Sequence, residues 1–554
     1  MTGINTTIKR AYASTTEEFR IEGWSDPRNR WLVAVACLFA AVGFLMRILF
    51  WWYTGRTWED ALITVLHSGN LVNGLGLTHY LTGQAPVYGF TSPLGVLVPL
   101  MGDLVKAGNG LSLIKLVSAV CGSLAVIFVA AIGIHPKFDI PRPLLILPIG
   151  FVALDYNQIM WGMSGMETQM VTTVLLMSIY YLLREKLFAT GILLGLCLLA
   201  RPDMVFWVLI AGIYLLFTQR KGTVKAIIPA AVVYLPWLIF TTSYYGSPFP
   251  NTMMAKFVGF QERSWVYKNL SLAGTLHYVL VATREVFQPL GPCLASHGTG
   301  YINLWYGFWV CYAMSFFTFI AVCLILLQRR KELLPSALFV LVYAGYYVFL
   351  TPVFWSWYLV PFAAVGILLS TYGIGRTMGM LRNHNLRRYS CALIAAAYLV
   401  CISTVIPIGF KTDRQIQLYI EDGVRKEIGL YLSTVMDKDQ SVGCECLGYI
   451  SYYSRRTVYD FPGLCNSKVV EYLKTEKPSQ RCLYCVLEHF RPDFLVLRGY
   501  EYESCRERCG VDGWVVRDYQ VLRWFEADPA KINDILLIEY NIDTSFVVLK
   551  KKGA

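Results

Sequence analysis

The sequence predicts a polytopic α-helical membrane protein of about eleven spans with a C-terminal mixed α/β domain outside the membrane. Three observations carry this. Of 554 residues, 55% are hydrophobic and 16% charged, against roughly 25% charged in soluble domains. Runs of the apolar length that crosses a bilayer recur from residue 31 to 409 and stop after Phe410. Tyr and Trp are abundant, at 35 and 15, as suits rings that gather at the membrane–water boundary.

The expected spans lie near 31–52, 111–134, 143–159, 167–184, 187–200, 203–219, 224–243, 303–328, 334–351, 356–375 and 388–409. Basic residues recur in alternate connections: the first 30 residues, 135–143, 184–186, 219–225, 328–332 and 376–388. Lys and Arg are retained on the cytoplasmic side. This alternation places the segment 1–30 in the cytosol of a plasma membrane and the chain after about 410 outside, in the periplasm or its equivalent. The net charge of +12 therefore reflects topology, and nucleic-acid binding is excluded. The apolar stretch 92–110, interrupted by Pro93, Pro99 and Asp103, breaks the alternation if it spans. It reads instead as a helix on the outer face. Arg47, five residues inside the end of the first span, is expected to snorkel.

The domains are then 1–30, cytoplasmic; 31–410, transmembrane, with outer loops 53–110 and 244–302; and 411–554, soluble and outside. Alternating strings such as SVGCECLGYISYY, RTVYDF and FLVLRG give the last its strands. It holds seven cysteines: Cys444, Cys446, Cys465, Cys482, Cys485, Cys505 and Cys509. An oxidising exterior favours disulfides, with Cys293 as an eighth partner. The spacing Cys482-x₂-Cys485 and Cys505-x₃-Cys509 also approaches a zinc ribbon, and both readings stand.

Just past the first span lie two adjacent carboxylates, Glu59 and Asp60. A partly desolvated carboxylate beside a second acid acts as a general base on a hydroxyl. The competing reading makes Thr57-x-x-Asp60 a helix-capping pair. Arg56, His67 and His79, then Ser164, Glu167 and Thr168, then Arg201 and Asp203, then Asn251 and Lys256, fall on the same side. Ionisable groups at membrane depth are costly and face internal cavities. Arg201 and Asp203 also suit a simple ion pair where Pro202 starts a helix. Cations and a carboxylate pair on one face suit a substrate with a lipid tail and an anionic head.

The run EDALITVLHSGNLVNGLGLTHYLTGQAPVYGFTSPL resembles the first outer loop of GT-C fold polyprenyl-phosphate-sugar glycosyltransferases, most nearly the mycobacterial terminal arabinofuranosyltransferase group. SGMET at 164–168, ARPD at 200–203, YYGSPFPNTMMAK at 244–256, WYLVP at 357–361 and GYISYYSRRTVYDFPGL at 448–464 follow in the family's order. The resemblance implies inverting transfer of arabinofuranose or another pentose or hexose from a lipid-linked donor to a glycan or other acceptor outside the membrane. It carries the catalytic acid to Asp60. Glu59 stands where the family has Asp, which leaves open the base assignment and a divalent cation at the acidic pair. Donor or substrate contacts fall to Arg56, His67, Tyr88, Thr91, Ser92, Glu167, Thr168, Arg201, Asp203, Asn251, Lys256 and Tyr358. Trp357-Tyr358 replaces the family's Arg-Tyr, so one cation is missing. A transporter of an amphipathic solute and a non-catalytic envelope or flagellar assembly factor are the alternatives. The paired broken helices of a transporter are not evident in the sequence.

Overall fold

The computed structural model describes residues 21–79, 85–268, 270–296, 300–351, 353, 355–509, 513–532 and 543–553. Among these, seven helices are long and apolar enough to cross a membrane: Pro27–Thr54, Gly110–Ile134, Arg142–Met163, Arg220–Tyr245, Gly307–Leu327, Ser356–Met378 and His384–Val435. Four shorter apolar helices, Thr168–Leu183, Leu187–Ala200, Pro202–Thr218 and Leu334–Leu350, occupy the other expected spans. Thr168–Leu183 is buried along nearly its whole length. Its lining is protein rather than lipid, so it need not match the bilayer thickness.

Pro93–Val105 is a further short apolar helix, on the stretch read as an outer-face element. Ser92 Oγ caps it by accepting from the Gly95 N–H at 2.8 Å. Asp103, one of the residues that argued against a span, is buried. It accepts from Ser68 Oγ at 2.6 Å and from the N–H groups of Gly108 and Gly110. The helix packs on Glu59–Val72 and Gly110–Ile134. A polar residue is thus accommodated at an apolar depth because protein groups meet its hydrogen-bonding needs.

Arg47 does not snorkel. It is fully buried and donates to the carbonyls of Gly43, Val152 and Ala153 and to Gln169 Oε1. The helix break at Asp155, between Ile146–Leu154 and Tyr156–Met163, makes two of these possible: the carbonyls of Val152 and Ala153 sit in the last turn before it, where no helical partner remains for them. Glycines set the closest helix contacts. A Cβ on Gly191 would lie 2.2 Å from the Ala226 carbonyl oxygen, and one on Gly373 2.1 Å from that of Phe317. Small residues are what let backbones approach this closely in a membrane.

The end of apolar sequence at Phe410 is not a break in the backbone. One helical run continues from His384 to Val435, through a π-helical stretch Gln417–Lys426, and delivers the chain to a five-stranded sheet. Its order is β4-β3-β5-β7-β6, with β3 Ser441–Cys444, β4 Thr457–Asp460, β5 Phe494–Arg498, β6 Tyr519–Glu526 and β7 Ser545–Lys551. β3 runs parallel to β4 and β5, and β7 antiparallel to β5 and β6. All five residues of β5 are buried, as a strand covered on both faces should be. A two-stranded hairpin, β1 Cys293–Ser296 and β2 Gly300–Asn303, lies in the loop before Gly307–Leu327.

Replacing Gly191 with Leu forces the Leu187–Ala200 and Val224–Tyr245 helices apart. A loss of about 1–3 kcal/mol is expected for such overpacking, read as a lower unfolding midpoint in detergent. Gly212→Ala is the control, since a Cβ there meets nothing within 4 Å.

Candidate functional site

Asp60 occupies the first turn of helix Glu59–Val72. Trp58 is the N-cap, and no side chain caps the helix. The capping role for Thr57 and Asp60 therefore fails: Thr57 Oγ1 donates to the Gly55 carbonyl instead. The Asp60 carboxylate, 32% exposed, faces Lys256 Nζ at 3.7 Å. Lys256 lies on Asn251–Gly259 and donates to Tyr358 Oη at 3.2 Å. Its ammonium also sits over the rings of Trp355, Trp357 and Tyr358 at 5.7–5.9 Å, within cation–π range. Burial works against this charge, but the Tyr358 hydroxyl and the Asp60 carboxylate overcome it and raise the Lys256 pKa.

Arg201 enters from the end of Leu187–Ala200, where extended backbone at φ −164° precedes Pro202. It pairs with Asp203 at 2.8 Å, as the simplest sequence reading held. It also donates to Tyr343 Oη at 2.9 Å and to the Tyr358 carbonyl at 3.0 Å. Tyr343 and Tyr347 donate to the other Asp203 oxygen. Arg201 and Lys256 thus converge on Tyr358 from two sides, where the Trp357-Tyr358 pair had left a cation missing.

Two cavities meet at Lys256. The larger, about 420 Å³, is lined by Thr91, Arg201, Asp203, Tyr346, Tyr347, Tyr358 and the apolar Val205, Phe206, Met253, Met254 and Phe257. The smaller, about 90 Å³, lies between the membrane helices and the C-terminal sheet domain. Asp60 and Glu59 line it with Trp58, Trp355, Trp357, Phe260, Glu421, Arg425, Glu445, Phe461 and Arg498. Trp355 and Trp357 are stacked at 6° with centroids 5.4 Å apart. Glu167 is buried close to this junction.

Several expected contacts have other duties. Arg56 is fully buried and pairs with Asp413 at 3.2 Å and Glu421 at 2.9 Å. His67 is buried against Phe90, with Nδ1 on the Ile63 carbonyl, and burial lowers its pKa to about 4. His79 meets Ser451 Oγ, and the Ser164 carbonyl accepts from the Trp58 N–H. Tyr88 stacks on Tyr245 and accepts from Trp237. Ser92 is a cap. Thr168 is buried at a helix start. Asn251 donates to the carbonyls of Gly463 and Leu464, holding the Lys256 helix against the C-terminal domain.

Glu59 lines the same small cavity but has different polar partners from Asp60. It accepts from the Gly448 N–H at 2.8 Å and pairs with Arg425 at 3.3 Å. Arg425 also binds Glu421 and Asp543, and Arg498 binds Asp543, Glu445 and Glu501. With Arg56, this network sets three arginines against six carboxylates. Burial, with the neighbouring Glu445 and Glu421, raises the Glu59 carboxyl to about 8 despite Arg425.

Nor do the residues at the acidic pair fit a divalent cation. Glu59 is engaged elsewhere, Asp60 faces an ammonium, and among the described residues no three His, Cys, Asp or Glu side chains form a metal-holding group. Cys293 packs on Asn157 and Gln288 in the membrane region, not on the tail. Cys444, Cys446 and Cys465 are buried free thiols, Cys505 is buried, and Cys482 and Cys485 are free and half-buried. The Cys509 side chain lies outside the described residues.

Sequence reasoning missed Trp355, Phe260, Tyr343, Tyr347, Glu421, Arg425, Glu445 and Arg498. The spacing of Glu421 and Arg425, four residues apart on a helix, was a readable sign of pairing. The others are assembled only by tertiary folding.

Residues 412–542 match a family described as Domain of unknown function (DUF8728). No curated protein sequence matches the chain. Solved structures do. The archaeal oligosaccharyltransferase AglB from Archaeoglobus fulgidus, in complex with an inhibitory peptide and a dolichol-phosphate, is 14% identical with a TM-score of 0.55. The match covers 87% of this chain and 71% of that one. ArnT from Cupriavidus metallidurans, bound to undecaprenyl phosphate, is 11% identical with a TM-score of 0.52, covering 94% and 98%. The chain is an integral membrane protein with the GT-C fold.

Glu59 links the site to stability. Its folded pKa of about 8 exceeds the unfolded value of about 4.3, so the folded state binds the proton more tightly. The resulting stabilisation is complete below about pH 4 and is lost as pH rises through 8. Thermal unfolding from pH 5 to 8 is expected to show a falling midpoint in wild type and a shallower fall in Glu59→Gln.

Proposed function

We propose that the protein is an inverting glycosyltransferase that moves a sugar from a polyprenyl-phosphate donor to a cell-envelope glycan or other acceptor outside the membrane. Arabinofuranose, or another pentose or hexose, is the sugar the sequence resemblance favours. The observation that carries this reading is the Asp60 carboxylate 3.7 Å from Lys256, at the meeting point of an apolar cavity holding Arg201 and a polar cavity walled by tryptophans. In this reading the N-terminus is cytoplasmic, both cavities open to the outer side of a bacterial plasma membrane, and residues 411–554 form the outer domain that helps receive the acceptor.

The polyprenyl chain lies against Phe206, Met253, Met254 and Phe257, with its phosphate between Arg201 and Lys256. The sugar projects past Lys256 toward Asp60 and the stacked Trp355 and Trp357. Asp60 takes the proton of the acceptor hydroxyl as its oxygen attacks the anomeric carbon. The bond to the phosphate oxygen breaks on the opposite side, and the polyprenyl phosphate leaves with its charge balanced by Arg201 and Lys256. Attack opposite the leaving group inverts the anomeric centre. Preorganised cations where charge develops are a large source of rate in transfer reactions of this kind.

Loss of a positioned general base typically costs 10²- to 10⁴-fold in rate. Asp60→Asn is therefore expected to lose about that much transfer in membranes supplied with polyprenyl-phosphate sugar, with an unchanged unfolding midpoint. Transfer at the wild-type rate would overturn the role of Asp60.

A further inference from the structure

The C-terminal domain carries a feature that the proposed reaction does not use. Cys482 is the N-cap of helix Leu483–Phe490, and its sulfur accepts from the Cys485 N–H at 3.4 Å. Residues three apart on a helix are neighbours, and the two sulfurs lie 2.7 Å apart as free thiols. Each is half-buried, so reagents can reach them, unlike the buried Cys444, Cys446, Cys465 and Cys505.

The pair is also placed where closing it has a consequence. Arg481, the preceding residue, donates to the Val258 carbonyl at 3.0 Å and to Gln261 Oε1 at 2.6 Å. Val486 of the same helix packs in one apolar cluster with Ala255 and Val258, which flank Lys256, and with Val469, Val470 and Leu473. The turn that bears the two thiols is therefore joined, by one residue and one cluster, to the helix that presents Lys256.

We propose that Cys482 and Cys485 are a redox site that closes into an intrahelical disulfide and clamps the Arg481 turn onto the Lys256 helix. Two S–H bonds are lost and one S–S bond forms. The two electrons and two protons pass to an external disulfide-bearing oxidant, whose own S–S bond is reduced to two thiols. Burial, together with the neighbouring Cys482, pushes the Cys485 thiol up to about 12. Closure by exchange with the oxidant runs through a thiolate, so the raised Cys485 thiol makes that closure slow at neutral pH. The alternative of a zinc ribbon with Cys505 and Cys509 would hold both sulfurs as thiolates on a metal.

Trypsin releases residues 482–498 as one peptide, because Pro492 protects the bond after Arg491, and that peptide contains Cys482 and Cys485 and no other cysteine. Membranes quenched in acid, denatured and alkylated with N-ethylmaleimide without reductant are expected to yield it unalkylated and lighter by two hydrogens than the dithiol. After reduction it should take up two alkyl groups. In Cys482→Ser, Cys485 should be alkylated without reductant. Recovery of the wild-type peptide doubly alkylated before any reduction overturns the proposal, as does zinc bound in equimolar amount and released when the peptide is alkylated. The assay reads the thiols directly, so its outcome is independent of whether the protein transfers sugar.

Discussion

The arrangement rests on a buried charge network that ties helix Glu59–Val72 to the C-terminal domain. Arg56 stands just after the first span, Glu421 and Arg425 on the long helix leaving the last one, and Arg498 and Asp543 in the sheet domain. Taking so many charges out of water is expensive, and removing one partner from such a set typically costs about 3–5 kcal/mol. Their geometry therefore has few alternatives. It fixes Glu59 on Gly448 and Arg425, and so turns the adjacent Asp60 toward Lys256.

This division of labour explains why two neighbouring acids behave differently. Glu59 is a structural carboxyl in an acid-rich network, held partly protonated by burial. Asp60, one residue on, points into a junction of cavities and meets a lysine. The Lys256 helix is in turn pinned from the other side, by Asn251 on the carbonyls of Gly463 and Leu464 and by Arg481 on the carbonyl of Val258. The membrane helices supply the apolar cavity and the C-terminal domain supplies one wall of the polar one, so neither alone completes the site.

Much of the fold was legible in the sequence because apolar length and loop charge are one-dimensional signals. All eleven expected spans coincide with helices, and the segment 92–110 contains the short helix Pro93–Val105. What the sequence did not carry was where polar side chains turn. Arg56, His67, Tyr88 and Asn251 looked like Arg201 and Lys256, since each is a polar residue close to an apolar segment. Folding sorted them into packing or pairing duties and left Arg201, Lys256, Tyr358 and Asp60 facing the cavities. Arg47 escaped correct reading for a related reason: the break before Tyr156 that frees carbonyls for its guanidinium has no strong local signal beyond Asp155. The end of hydrophobic sequence at Phe410 marked a change of solvent, not of backbone, and the helix continues to Val435.

In the proposed reaction Arg201 and Lys256 form the phosphate site of a lipid-linked donor. Native mass spectrometry of the purified protein supplied with undecaprenyl phosphate tests it most directly. A one-to-one adduct is expected in wild type that survives Asp60→Asn and is lost or strongly weakened in Lys256→Ala and Arg201→Ala. Wild-type protein that carries no adduct with the lipid in excess, or cation variants that hold it as well as wild type, would contradict it.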